Sequence, residues 1–149
     1  MRSLFLLLLL LWVIPMAARL ATLHVKYLRY WEPLVVPATL VHQGDPVFLR
    51  LTDYDQNLDS SSIETVLVAV ADDPDGETMI LRLSETGPAT GVFTGYVQSS
   101  GLSPLTVHDA FLNVTPQHEV VAAYTDPRDP SDFVQARTMV DPGGLVFDT

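Results

Sequence analysis

Six oxygen-bearing side chains recur at the first, third, fifth, seventh, ninth and twelfth positions of the segment DYDQNLDSSSIE: Asp53, Asp55, Asn57, Asp59, Ser61 and Glu64. A hard dication takes six to eight oxygens. Alternate residues of a curving loop can aim them inward, and a carboxylate at the twelfth position can close the shell with both its oxygens. The segment therefore reads as a Ca2+ loop. It departs from the helix–loop–helix pattern at its sixth position, where Leu58 replaces the usual glycine of the sharp turn. The competing reading is a solvated turn, because Asp, Asn and Ser are ordinary loop residues. Occupancy of all six positions favours calcium. A second acidic stretch, DPRDPSD at 126–132, offers Asp126, Asp129 and Asp132 as additional or replacement ligands.

Other candidate chemistry is thinner. His24, His42, His108 and His118 are scattered without metal-ligand spacing and read as strand or loop histidines. Asp72, Asp73, Asp75 and Glu77 surround what reads as a hairpin turn. Asn113-Val114-Thr115 matches the glycosylation acceptor, a short pattern that matters only in a suitable host. The serine run at 60–62 lacks the Gly-x-Ser-x-Gly elbow and a placed His–Asp pair, so nucleophilic catalysis has no support. No carboxylate pair stands out for hydrolysis, and an enzyme is the least favoured class.

The elements that must position the loop read as β-strands. No sustained helical period follows the N-terminal segment. Short β-branched and aromatic runs recur instead between Pro, Gly and Asp clusters. Strands are expected at 46–52, 65–71, 77–85, 92–98, 119–125 and 133–140, with a short one at 110–114 and one or two within 22–31. Along 77–85, Met79, Leu81 and Leu83 alternate with Thr78, Ile80, Arg82 and Ser84. Seven to nine such strands imply an all-β fold, an antiparallel β-sandwich of immunoglobulin-like outline. Successive strands run up and down, so the loops 53–64, 85–91 and 126–132 should share one end. Acidic loops gathered there repel unless a cation neutralises them.

The chain has 149 residues, enough for one domain. It opens with MRSLFLLLLLLWVIPMAA, a basic start followed by an apolar run too short to span a bilayer and closed by small residues. Residues 1–21 read as a secretory signal peptide, with an uncleaved anchor as the alternative. Residues 22–43 then form an N-terminal strand or arm, 44–142 the β-sandwich, and 143–149 a C-terminal tail or short strand. Loss of Arg2 and Arg19 with the signal would leave six basic against eighteen acidic residues, a net charge near −12. That balance argues against nucleic acid. No membrane association is expected after cleavage. The absence of cysteine excludes disulfides and thiolate ligands.

The order VFLRLTDYDQNLD, then ETVLVAVADDPDGETMILRLSETGPATGVFTGYV, then EVVAAYTDP, resembles immunoglobulin-like β-sandwich modules of secreted and surface-layer proteins of archaea and bacteria. Those modules tend to carry an Asp-x-Asp-x-Asn-x-Asp loop, matched here by Asp53, Asp55, Asn57 and Asp59. They also carry a Glu-Thr-Gly-Pro-x-Thr-Gly-Val-Phe-x-Gly turn, matched by 85–95. The resemblance spans roughly residues 44–141. It implies an extracellular structural role at the cell surface, often with calcium. Glu85 is expected to accept backbone N–H bonds or to reach the ion.

The function expected is that of an extracellular structural subunit, stabilised by Ca2+. Self-association into filaments by strand exchange would use the apolar and aromatic extension at 21–37 or the C-terminal GGLVFDT. The alternative is a monomeric adhesin or carbohydrate-binding module, and an accessory of other surface proteins is a further possibility.

Overall fold

The computed structural model of the protein describes residues 22–26, 37–74, 76–101 and 111–142. The expected signal segment, residues 27–36 of the arm and the C-terminal tail lie outside them. The described residues contain no helix and nine strands: β1 (Thr22–Lys26), β2 (Leu40–Val41), β3 (Pro46–Thr52), β4 (Thr65–Asp73), β5 (Thr78–Glu85), β6 (Val92–Ser100), β7 (Phe111–Asn113), β8 (Glu119–Thr125) and β9 (Phe133–Val140).

Eight strands follow one another in the order β1-β3-β6-β5-β4-β8-β9-β2, with β7 attached to β6 outside that path. The pairing is mixed rather than wholly antiparallel: β2 runs parallel to β9 and β7 parallel to β6. Neither pair is a hairpin. A strand that returns from across the molecule can enter in either direction, whereas a tight turn permits only antiparallel pairing. The long hairpin pairs are antiparallel as expected, β4 with β5 from Thr65↔Ser84 to Ala71↔Thr78 and β8 with β9 from Glu119↔Met139 to Thr125↔Phe133. Pairing between β5 and β6 is brief, at Ser84↔Thr94 and Glu85↔Phe93.

The period-two pattern decides which face is buried. Val66, Val68 and Val70 on β4, Val47, Leu49 and Leu51 on β3, and Val120, Ala122 and Tyr124 on β8 point into one core with Leu83 and Phe93. The sheet curls around that core until β1 packs near β8 and β9, giving a nearly barrel-like outline. This curl brings the ends of β3, β5 and β8 together. The three loops that leave those ends then meet, as the up-and-down count requires.

Candidate metal centre

Two backbone contacts seat the first loop on the second. The Asp53 N–H donates to the Gly91 carbonyl at 2.8 Å, and the Glu85 N–H donates to the Glu64 carbonyl at 2.9 Å. Gly91 has φ of +58°, and a Cβ there would lie 2.8 Å from the Tyr54 Cα and 3.0 Å from the Asp53 carbonyl oxygen. Only glycine meets both the left-handed backbone and the close approach.

Glu85 pins this junction. Its buried carboxylate accepts from the backbone N–H groups of Gly91 at 2.7 Å, Thr90 at 2.8 Å and Glu64 at 3.4 Å. Burial alone would push this carboxyl up, but the N–H donors outweigh it and hold it below its ordinary value. Of the two roles expected for Glu85, the hydrogen-bonding one is what the geometry displays.

The third loop closes over the first. Gln56 Nε2 donates to Asp126 Oδ1 at 2.7 Å, and the Arg128 guanidinium donates to the Asp55 carbonyl at 3.3 Å. The same Asp126 oxygen accepts from the Arg128 backbone N–H at 2.7 Å. Within this junction Asp53, Asp55 and Asp126 each place a carboxylate oxygen within 4.8 Å of the other two. Asp53 and Asp126 are each only 1% exposed, while Asp55 faces solvent.

The buried pair is incompletely satisfied. Asp53 Oδ2 accepts the Tyr124 hydroxyl at 2.8 Å. Its other oxygen, Oδ1, is buried without a hydrogen-bond partner, and so is Asp126 Oδ2. Buried carboxylate oxygens are normally covered by donors. Burial, then the adjoining Asp55 carboxyl, pushes the Asp53 carboxyl up to about 7, against the opposing donation from Tyr124. Burial and then the Asp53 carboxylate push the Tyr124 phenol up as well. Like charges about 5 Å apart repel by about 3 kcal/mol at an effective dielectric of 20. With all three ionised, such pairs total about 10 kcal/mol against roughly 1.5–3 kcal/mol from each of the three hydrogen bonds present, and a proton on Asp53 relieves only part of that. A cation between the carboxylates reverses the balance, and an all-oxygen donor set suits a hard one. The cluster could therefore hold a metal ion.

The remaining residues of the calcium pattern are placed differently. Glu64 turns back into its own loop, accepting from the Leu58 N–H at 2.7 Å and the Asp59 N–H at 3.0 Å. Asp59 accepts from the Ser61 hydroxyl and backbone N–H at 2.6 and 2.9 Å and from the Ser62 hydroxyl at 2.8 Å, which holds its carboxyl below the ordinary range. Asp129 does the same with Ser131, at 2.6 Å to the hydroxyl and 3.1 Å to the N–H. These are self-contained turns of the kind Asp and Ser commonly build. Asn57 keeps a buried side-chain oxygen without a hydrogen-bond partner. Asp132 is buried in the third loop, its carbonyl accepting from the Asp126 N–H at 2.9 Å and its N–H donating to the Asp129 carbonyl at 2.8 Å.

Gln56 and Tyr124 were not singled out from the sequence. Tyr124 carried a signal: an inward-facing tyrosine in a Val- and Ala-rich strand needs a partner for its hydroxyl, and an acidic loop follows at once. Gln56 carried none beyond its place in the loop.

At the opposite end Asp72 is buried beneath His118, its Oδ2 accepting from the Thr115 N–H at 3.2 Å and lying 3.0 Å from His118 Nδ1. Glu77 accepts from the backbone and side chain of Asn113 at 3.2 and 2.8 Å. These contacts tie the β4–β5 turn to β7. Among the described residues no second group of acidic and histidine side chains converges as the first does.

No protein-family model matches this sequence, and no curated protein is significantly similar to it. The site must be read from its own chemistry.

Proposed function

We propose that this chain is a non-catalytic structural module, exported from the cell, whose acidic end is locked by Ca2+ between Asp53, Asp55 and Asp126. The observation that carries the reading is the pair of buried, unpartnered carboxylate oxygens, Asp53 Oδ1 and Asp126 Oδ2. Asn57, with its own buried unpartnered oxygen two residues beyond Asp55, is the fourth protein ligand in this reading. Three carboxylates and an amide leave room for water in a shell of six to eight oxygens, and the flexible shell of Ca2+ accepts that more readily than the strict octahedron of Mg2+. The ion would join the end of β3 to the end of β8 and stiffen the module without chemistry of its own.

An immunoglobulin-like sandwich is the architecture proposed. It is supported by the strand order, in which β1-β3-β6 and β5-β4-β8-β9-β2 would form facing sheets joined only by the two residue pairs between β5 and β6. Export is supported by the apolar run at 4–18, which is closed by small residues.

The test is thermal unfolding of the full chain in calcium and in excess chelator. A site with Kd of about 10⁻⁴–10⁻³ M, usual for extracellular modules, contributes about 0.4–1.4 kcal/mol at roughly millimolar calcium. On a domain of this size that raises Tm by roughly 2–10 °C. Superimposable curves over a millimolar calcium range would sink the reading.

A further inference from the structure

We propose that Tyr124 and Gln56 are the positioning residues of the cation site, each occupying one oxygen of a buried carboxylate so that the other faces the ion. The inference rests on the reading of this end as a cation site and goes beyond it, because neither residue offers a ligand of its own.

The division of oxygens is the same at both carboxylates. On Asp53, Oδ2 takes the Tyr124 hydroxyl at 2.8 Å and Oδ1 is left buried and bare. On Asp126, Oδ1 takes Gln56 Nε2 and the Arg128 N–H, both at 2.7 Å, and Oδ2 is left buried and bare. One-sided donation is not by itself the mark of a site, since Asp72 also takes its partners on Oδ2 and leaves Oδ1 buried and bare. Asp53 and Asp126 differ in that their carboxylates converge with that of Asp55, so donors on the far oxygens leave the near ones free, as do the outer partners of metal-bound carboxylates.

The two residues fix that arrangement by different means. The Tyr124 ring belongs to the buried core, so its hydroxyl is held by packing against Val and Leu side chains rather than by a mobile rotamer. It locks Asp53 to the frame of β8. Gln56 is buried in the first loop and reaches the third, so it couples the placement of Asp126 to that of Asp53 and Asp55. Asp55 is exposed and forms the solvent-facing side through which an ion would enter.

The experiment uses terbium(III), which shares the oxygen preference of calcium and whose luminescence decay in H2O and D2O counts its bound waters. Wild type, Tyr124→Phe and Gln56→Leu are titrated as full chains, with Tyr96→Phe, an exposed tyrosine of β6 outside the acidic loops, as control. Both positioning variants should bind terbium about 10–100-fold more weakly. Each should also admit one further water to the ion, as a carboxylate no longer held in place gives up its position. Tyr96→Phe should match wild type, and Tyr124→Phe and Gln56→Leu should each lose more stability with the ion than without it. Wild-type affinity and hydration in both variants would overturn the inference. So would an equal loss of stability with and without ion, which is the mark of a purely structural hydrogen bond. Failure of the wild type itself to bind terbium is a different result, and removes the cation site altogether.

Discussion

At the scale of single residues, the acidic end separates carboxylates that build loops from carboxylates left short of donors. Asp59, Asp129, Glu64 and Glu85 find their donors among nearby N–H and O–H groups. Asp53 and Asp126 do not find enough. Asp55→Ala removes an exposed charge without disturbing packing, so it should abolish the calcium-dependent rise in Tm, about 0.4–1.4 kcal/mol, while ion-free unfolding is unchanged or slightly improved. Calorimetry of the variant with and without calcium checks this. Glu85 predicts a pH dependence. Its folded-state pKa lies below the ordinary 4.5, so its contribution is complete above that value and is lost as pH falls through the folded pKa. Chelator-treated wild type should lose stability on acidification below about pH 4.5, and Glu85→Gln should show a shallower acid limb in the same titration.

At the scale of elements, the strands decide where the loops start and one glycine decides how closely two loops pack. Gly91→Ala would place a methyl against the Tyr54 backbone and force a left-handed alanine. The left-handed conformation alone costs about 1–3 kcal/mol, and the clash must add to it. Denaturant unfolding should show that loss, together with weaker calcium binding because Asp53 is hydrogen-bonded to Gly91. In the core, Leu49 on β3 is fully buried, and Leu49→Ala should cost about 2–5 kcal/mol. That loss should be the same with and without calcium, since Leu49 is not part of the ion site. A calcium-dependent difference would mean that the core and the site are coupled more tightly than the geometry shows.

At the scale of the whole molecule, self-association by strand exchange has a concrete candidate in β1. Within one chain Thr22–Lys26 pairs with β3 from Thr22↔Thr52 to Lys26↔Phe48 and buries Leu23 in the core. The same contacts made between copies would link modules head to tail, with main-chain hydrogen bonds supplying affinity. Negative-stain microscopy of the full chain should show filaments, and a chain lacking 22–31 should remain monomeric. Filaments that survive the deletion would transfer the role to another segment. A net charge of −10 disfavours close approach of copies at low salt, so assembly should strengthen with calcium and with ionic strength.

Much of the fold was legible from alternation and punctuation. The runs at 46–52, 119–125 and 133–140 coincide with β3, β8 and β9, because a half-buried strand writes its period into its side chains. Strand β2, two residues long, and its parallel pairing with β9 were not legible, since so short a strand has no period and its partner lies about a hundred residues away. The acidic stretches at 53–64 and 126–132 and their shared end were likewise readable from strand count. Which acids converge was not. The calcium spacing treats Asp53, Asp55, Asn57, Asp59, Ser61 and Glu64 as equivalent, yet side-chain direction depends on how each loop is tied to its neighbours. Local hydrogen bonds claim Asp59 and Glu64, and the curl of the sheet delivers Asp126 and the Tyr124 hydroxyl instead. Sequence alone therefore determined the longer strands, the acidity and the shared end of the loops, which alternation, composition and strand count set. Only the tertiary structure decided which oxygens remain unpaired, because that depends on contacts between residues some seventy positions apart.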